Sequence, residues 1–149
     1  MHQALQSNVA QELLNSRLPA RLAFVGANGD PHVTPIWFEW QNPDIVVCAR
    51  ADSFKVKAIR QHPRIALTID TEQSPYKSLR IRGTAQVELA DGVLDEYVRC
   101  AHRYYGEGTG QRWIDWFATV TVSMARITIS PHWVEVLDFR ERFAHVYDE

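Results

Sequence analysis

A chain of 149 residues, 46% of them hydrophobic, is long enough to form one domain with a sizeable core. Its formal net charge of -2 argues against bulk attraction to nucleic acid or to an anionic membrane. No apolar run approaches the roughly 20 residues of a membrane-spanning helix, and the N-terminus lacks the pattern of a secretory signal. We therefore expect a single cytoplasmic domain over residues 1–149, with neither nucleic acid nor a membrane as its partner.

The first third of the chain predicts one helix followed by strands. The helix begins at Ser7 or Asn8 and ends before Pro19. Residues 21–40 form two β-rich runs around an Asn-Gly pair, which accepts the positive φ of a tight hairpin turn. The apolar run at 45–50 predicts a third strand, buried on both faces.

The rest of the chain alternates helices and strands. In chain order the pattern predicts a short helix over 53–62, strands over 64–70 and 77–90, helices over 91–106 and 110–120, and two strand pieces within 123–139 separated by Pro131. Gly83, inside the long strand, indicates a bulge or a close backbone approach. Six strands with few helices and short links predict a mainly β member of the α+β class, an antiparallel barrel with helices outside it.

Positive charge is concentrated in one segment. Residues 50–82 carry eight Lys and Arg but only three Asp and Glu. A local basic zone in an acidic protein favours a small anionic ligand over a long polyanion, although a solvated face gives the same count.

The short helix places two lysines at its start. With Ser53, or Asp52 before it, as the N-cap, Lys55 and Lys57 lie where a cation opposes the helix dipole by about 0.3 to 1 kcal/mol. A phosphate held by the free backbone N–H groups, the serine hydroxyl and the ammonium groups would make the two positive charges favourable at this end of the helix. We predict a phosphate site here; the alternative is that both lysines point into solvent.

Other chemistry-bearing residues give weaker signals. Cys48 and Cys100 lack metal or redox spacing and are interpreted as packed thiols. The six histidines show no ligand spacing, so we expect no metal site, and no pattern identifies catalytic residues. Each of the five tryptophans is more typical of a core or a dimer interface than of a ring-stacking site: Trp37, Trp40, Trp113, Trp116 and Trp133.

The order of elements and three stretches resemble a known family. "GDPHVTPIWFEW", "CARADSFKVKAIRQHPRIALTID" and "SLRIRGTAQVE" are similar to the pyridoxamine 5'-phosphate oxidase-like superfamily of flavin and deazaflavin oxidoreductases. The resemblance covers roughly residues 15–137, and Ser53 and Lys55 match the family's Ser-x-Lys phosphate anchor. It implies a six-stranded split β-barrel and a homodimer with the cofactor in a cleft between the subunits.

The resemblance also implies the cofactor and its site. FMN is favoured because it is universal, the deazaflavin coenzyme F-420 is the alternative, and haem is less favoured. Thr34, Pro35 and Ile36 would line the edge of the flavin ring. The full set of implied cofactor-binding residues is Thr34, Pro35, Ile36, Trp37, Cys48, Ala49, Arg50, Ser53, Lys55, Lys57 and Arg82.

Three positions depart from true pyridoxamine 5'-phosphate oxidases. Thr34, Glu39 and Phe54 stand where those enzymes carry basic residues. Oxidation of vitamin B6 is therefore not expected. The prediction is an FMN- or deazaflavin-dependent oxidoreductase acting on an unidentified small molecule. The alternatives are a non-catalytic flavin- or haem-binding module and, disfavoured for lack of exposed aromatic residues among the basic ones, a nucleic-acid-binding barrel.

Overall fold

The structure is a computed structural model that describes residues 2–148. In this part of the chain, no helix has both the length and the apolar character needed to cross a bilayer. In chain order, the elements are a 3-10 turn at Gln3–Gln6, α1 Asn8–Leu14, β1 Ala20–Val25, β2 Pro31–Ile36, β3 Glu39–Gln41, β4 Asp44–Arg50, α2 Phe54–Gln61, β5 Arg64–Asp70, β6 Lys77–Asp91, α3 Asp95–Tyr105, α4 Glu107–Val120, β7 Ser123–Asp138, α5 Phe139–Arg142 and α6 Ala144–Tyr147.

The seven strands form one antiparallel sheet in the order β2-β1-β5-β6-β7-β4-β3. The two edge strands, β2 and β3, are joined by only Trp37 and Phe38. Because so short a link cannot cross a flat sheet, the sheet must curl until its edges meet, which gives a barrel split between β2 and β3. The predicted fold, a mainly β split barrel with flanking helices, is confirmed.

The structure has one strand more than the sequence predicts. The run expected as a single strand up to residue 40 divides at Trp37 and Phe38, since β2 pairs with β1 whereas β3 pairs with β4. The alternation of exposed and partly buried residues along β2 ends at Ile36, and Trp37 and Phe38 extend it as an apolar run, which does not show that the partner strand changes.

The predicted bulge at Gly83 is confirmed, whereas the predicted break at Pro131 is wrong. β7 runs without interruption and pairs with β6 along its whole length. The register shifts at the bulge, where Arg82 pairs with Trp133 and Gly83 with Pro131, so His132 has no partner. A proline fits there because the ladder of hydrogen bonds is already interrupted.

The barrel interior is filled by alternating aliphatic side chains. Leu22, Ile69 and Ile127 are fully buried there, and α1 and α2 pack on the same core. A second cluster, which includes Val46 and Phe117, joins the other face of β4 to α3 and α4. As predicted, β4 is therefore buried on both faces, and helices α3 and α4 stand beside the split in the barrel.

Candidate functional site

A cleft of about 400 Å³ opens beside the split, where β2 leaves the sheet. Its volume lies within the range of small-molecule sites, about 300 to 1,000 Å³. It brings together five of the predicted cofactor residues, which come from β2, from the link that follows it, from β4 and from the start of α2: Pro35, Ile36, Trp37, Cys48 and Lys55. Pro19 and two aromatic residues, Tyr97 and Trp113, complete the lining.

Trp37 is the centre of an aromatic wall along this cleft. Its ring stacks on Tyr104, with centroids 5.4 Å apart and planes 7° from parallel. Tyr105 meets it edge-on at 5.0 Å, and Tyr97 lies 5.5 Å away. Trp113 Nε1 donates a hydrogen bond to the Tyr97 hydroxyl over 3.1 Å. The wall is built of rings at different tilts and offers an apolar aromatic surface to a ligand ring.

Polar contacts from α3 hold this wall in place. Arg103 donates to the carbonyl oxygen of Phe38 over 3.0 Å and also to that of Ser16. Glu39, one of the departures from the family pattern, accepts two hydrogen bonds from Arg99, at 2.6 and 3.0 Å. The Arg99 guanidinium holds the pKa of the Glu39 carboxyl below its usual range. Both contacts fix the segment that carries Trp37.

Cys48 is a packed thiol in this cleft: both cysteines are buried and free, as the sequence predicts. Burial raises the pKa of the Cys48 thiol to about 12. The residue therefore remains a protonated thiol at neutral pH, and it contributes an apolar surface to the cleft instead of a nucleophile.

Ser53 occupies the N-cap position of α2 without capping it. Its side chain makes no capping hydrogen bond, and among residues 2–148 its buried Oγ has no hydrogen-bond partner. A buried hydroxyl left in this state costs about 1 to 3 kcal/mol. The backbone N–H groups of a first helical turn also lack intrahelical partners. This end of α2 therefore presents several unsatisfied donors.

The two lysines lie at the same end of the helix. Lys55 is half-buried, and burial lowers its pKa. Within the described residues neither Lys55 nor Lys57 has a carboxylate at ion-pair distance. Lys55 faces the aromatic cleft, whereas Lys57 and Ser53 line an adjoining cavity of about 440 Å³ over α2. An orphaned hydroxyl, two unpaired ammonium groups and free N–H groups fit a phosphate group.

The remaining predicted residues lie outside the cleft lining. The Thr34 hydroxyl donates to the carbonyl oxygen of Pro35 over 3.3 Å, and Ala49 is buried in β4. Arg50 forms an ion pair with Asp52 at 3.4 Å, so its charge is compensated. Arg82 lies on the outer face of the sheet, over the ring of Trp133. The predicted residues that lie close together are therefore those of the aromatic cleft and those of the phosphate anchor, Ser53, Lys55 and Lys57.

Sequence patterns did not identify Tyr97 and Trp113 as lining residues. Each lies on a helix at a spacing that core packing explains equally well. The only signal available was the seven-residue separation of Tyr97 and Tyr104, which places both rings on one face of α3.

Comparisons with known proteins agree with this fold. The model of the pyridoxamine 5'-phosphate oxidase family matches residues 7–131. A search of curated proteins gives no significant match. The structure of an F420 reductase is 22% identical, with a TM-score of 0.66 over 84% of this chain and 94% of its own. A FAD-binding protein from Mesorhizobium loti is 18% identical, with a TM-score of 0.58 over 89% and 90% of the two chains.

A haem storage protein from Vibrio cholerae is 16% identical, with a TM-score of 0.60 over 86% of this chain and 90% of its own. At these identities the three structures establish the shared fold. The family model, which covers most of the sequence, establishes more: this chain belongs to the pyridoxamine 5'-phosphate oxidase family.

Proposed function

We propose that this protein binds a phosphate-bearing flavin, FMN in the first place, and acts as an oxidoreductase on a small molecule. The observation that carries the proposal is the buried, unpartnered Ser53 hydroxyl beside the uncompensated charge of Lys55 at the mouth of an aromatic cleft. The deazaflavin coenzyme has the same phosphate-bearing arm and is the alternative ligand of the same site.

Different residues of the chain would bind the cofactor's phosphate and orient its ring. Ser53, Lys55 and Lys57 would bind the phosphate, and the segment from Pro35 to Trp37 would border the ring. When bound, the flavin supplies the hydride chemistry, so the protein needs no acid–base pair of its own. The lining that would border the ring is mainly apolar, and Cys48 remains a thiol there.

The cleft favours a flavin over haem. No histidine is among the described residues that line it. Its two ionisable candidates for an iron ligand are Cys48 and Tyr97, and burial raises the pKa of both. A protonated thiol and a neutral phenol are poor ligands for haem iron, which in proteins is held by His, thiolate, Met or tyrosinate.

The experiment that tests this proposal is retention of the cofactor. The purified protein is incubated separately with FMN, with the deazaflavin coenzyme and with haem, desalted, and scanned by absorbance. We expect equimolar retention of FMN or the deazaflavin with a shifted visible spectrum. Retention of haem alone, or of no ligand, contradicts the proposal. Anaerobic bleaching of the retained flavin by NADH or NADPH then separates an enzyme from a non-catalytic binding module.

A further inference from the structure

A second basic cavity lies on the outer face of the sheet, apart from the aromatic cleft. Its volume is about 370 Å³, and its floor is formed by Ala23 and Ala66, which pair directly across β1 and β5. Because both side chains are methyl groups, they leave a depression where larger side chains would fill the surface. Arg64, Arg82 and His132 surround it, and His32, whose ring stacks on Phe24 of the inner face, borders it at the end of the strands.

The charges around this cavity are not compensated. Two other arginines of the same face have acidic partners, since Arg21 pairs with Asp70 and Arg80 with Glu135. Arg64 and Arg82 have no such partner within the described part of the chain, and none of the described lining residues is a carboxylate. Two guanidinium groups without an acidic partner, those of Arg64 and Arg82, therefore lie beside the depression.

The β-bulge contributes two of these side chains, Arg82 and His132. His132 is the unpaired residue of the bulge, and bulges re-aim side chains in this way. Arg82, the residue before Gly83, stacks on the ring of Trp133 at 4.2 Å, which restricts its guanidinium group. Gly83 permits the close approach, because a Cβ there would lie 2.7 Å from the carbonyl oxygen of Ser130.

The cavity adjoins the phosphate anchor through an aromatic contact. His32, in its wall, meets the ring of Phe54 edge-on at 5.1 Å. Phe54 is the first residue of α2 and also lines the cavity that contains Ser53 and Lys57. Phe54 therefore lines one of the two basic cavities and contacts a lining residue of the other.

We propose that this cavity is a second anion site, formed by Arg64, Arg82 and His132 with His32 at its border, for a phosphate or carboxylate group. That group belongs either to the ligand held at α2, as an anionic extension beyond its first phosphate, or to a separate small acid. The first of these sources rests on the function proposed above, whereas the site itself does not. Guanidinium groups bind both anions through paired N–H donors, and an imidazole can donate one more hydrogen bond.

FMN, FAD and inorganic pyrophosphate are the probes that distinguish these sources. FMN carries one phosphate, FAD a diphosphate, and pyrophosphate is a free anion. Titrations compare the parent protein, Arg82→Met, and Arg80→Met as the control, which removes a paired arginine from the same face. If the ligand itself carries the second anion, Arg82→Met weakens FAD binding about five- to tenfold and leaves FMN binding within about twofold.

If the anion is a separate acid, pyrophosphate raises the melting temperature of the flavin-free parent, and Arg82→Met, but not Lys55→Met, removes that increase. Either of these results supports the site. The proposal is overturned if neither FAD affinity nor the pyrophosphate response differs between Arg82→Met and Arg80→Met. Failure of FMN, FAD and the deazaflavin coenzyme to bind the parent would contradict the proposed function alone, because the pyrophosphate titration still decides whether the anion site exists.

Discussion

Lys55 is a positive charge in an unfavourable place. It is half-buried at the start of a helix, and burial lowers its pKa. The dipole of α2 acts in the same direction, by about 0.3 to 1 kcal/mol. Without an anion the residue therefore destabilises the fold, and with a bound phosphate the same charge becomes favourable. A residue that serves only stability would behave in the opposite way.

The apoprotein of Lys55→Met should be more stable than the parent at neutral pH. The folded pKa of Lys55 lies below its unfolded value of about 10.4, so the unfolded chain binds more protons between the two values and stability rises with pH in that window. The advantage of the variant should consequently shrink as the pH approaches 10 or so. Urea unfolding of both proteins across this range measures it; a variant less stable than the parent at neutral pH would refute this account of Lys55.

At the scale of elements, the bulge between β6 and β7 is a feature on which both the fold and the second cavity depend. A Cβ on Gly83 would lie 2.7 Å from the Ser130 carbonyl oxygen and 2.9 Å from Ile129 Cγ2. Both atoms belong to the neighbouring strand, whose backbone is fixed by its pairing on either side of the bulge. The position therefore tolerates no larger residue without movement of a strand.

Gly83→Ala should destabilise the protein by about 1 to 3 kcal/mol, as expected for a side chain forced into a packed site. Thr84→Ala, at the exposed position next to it in the same strand, is the matched control and should change stability by less than about 0.5 kcal/mol. Thermal melts of the two variants provide the comparison. Equal melting temperatures would mean that the bulge relaxes freely.

The elements show what the sequence could and could not predict. The boundaries of β5 follow from Pro63 and the alternation after it, and they agree with the prediction. The division into β2 and β3 depends on which strands pair, which is a property of the closed barrel. Likewise, the sequence predicts that Lys55 lies at a helix N-terminus, where a positive charge is unfavourable. It does not predict the aromatic wall, because the rings of α3 and α4 reach the cleft only through tertiary packing.

At the scale of the whole molecule, we propose that two chains associate. Large apolar side chains lie open on the surface, with Val33 71% and Val122 85% exposed. Contact between copies of the chain would cover such residues. Light scattering at micromolar concentration should therefore give twice the chain mass of 17.1 kDa. A monomer under these conditions would contradict the proposed homodimer.

Membership of the family does not make vitamin B6 the substrate. Glu39 is engaged by Arg99, and Phe54 packs against His32, so two positions that are basic in true pyridoxamine 5'-phosphate oxidases have other contacts here. The FMN-loaded protein should not convert pyridoxamine 5'-phosphate at a useful rate, as absorbance of pyridoxal phosphate would show. Rapid formation of that product would reverse the conclusion.

The central claim is that the start of α2 binds a phosphate, and a comparison of FMN with riboflavin tests it most directly, because the two ligands differ only in that group. We expect the parent to bind FMN at least about tenfold more tightly, since a charge-assisted hydrogen bond contributes about 1.5 to 3 kcal/mol. Ser53→Ala/Lys55→Met should lose most of this preference. Lys77→Met, which removes a lysine paired with Glu12, should retain it. A parent that binds riboflavin as tightly as FMN would contradict the claim.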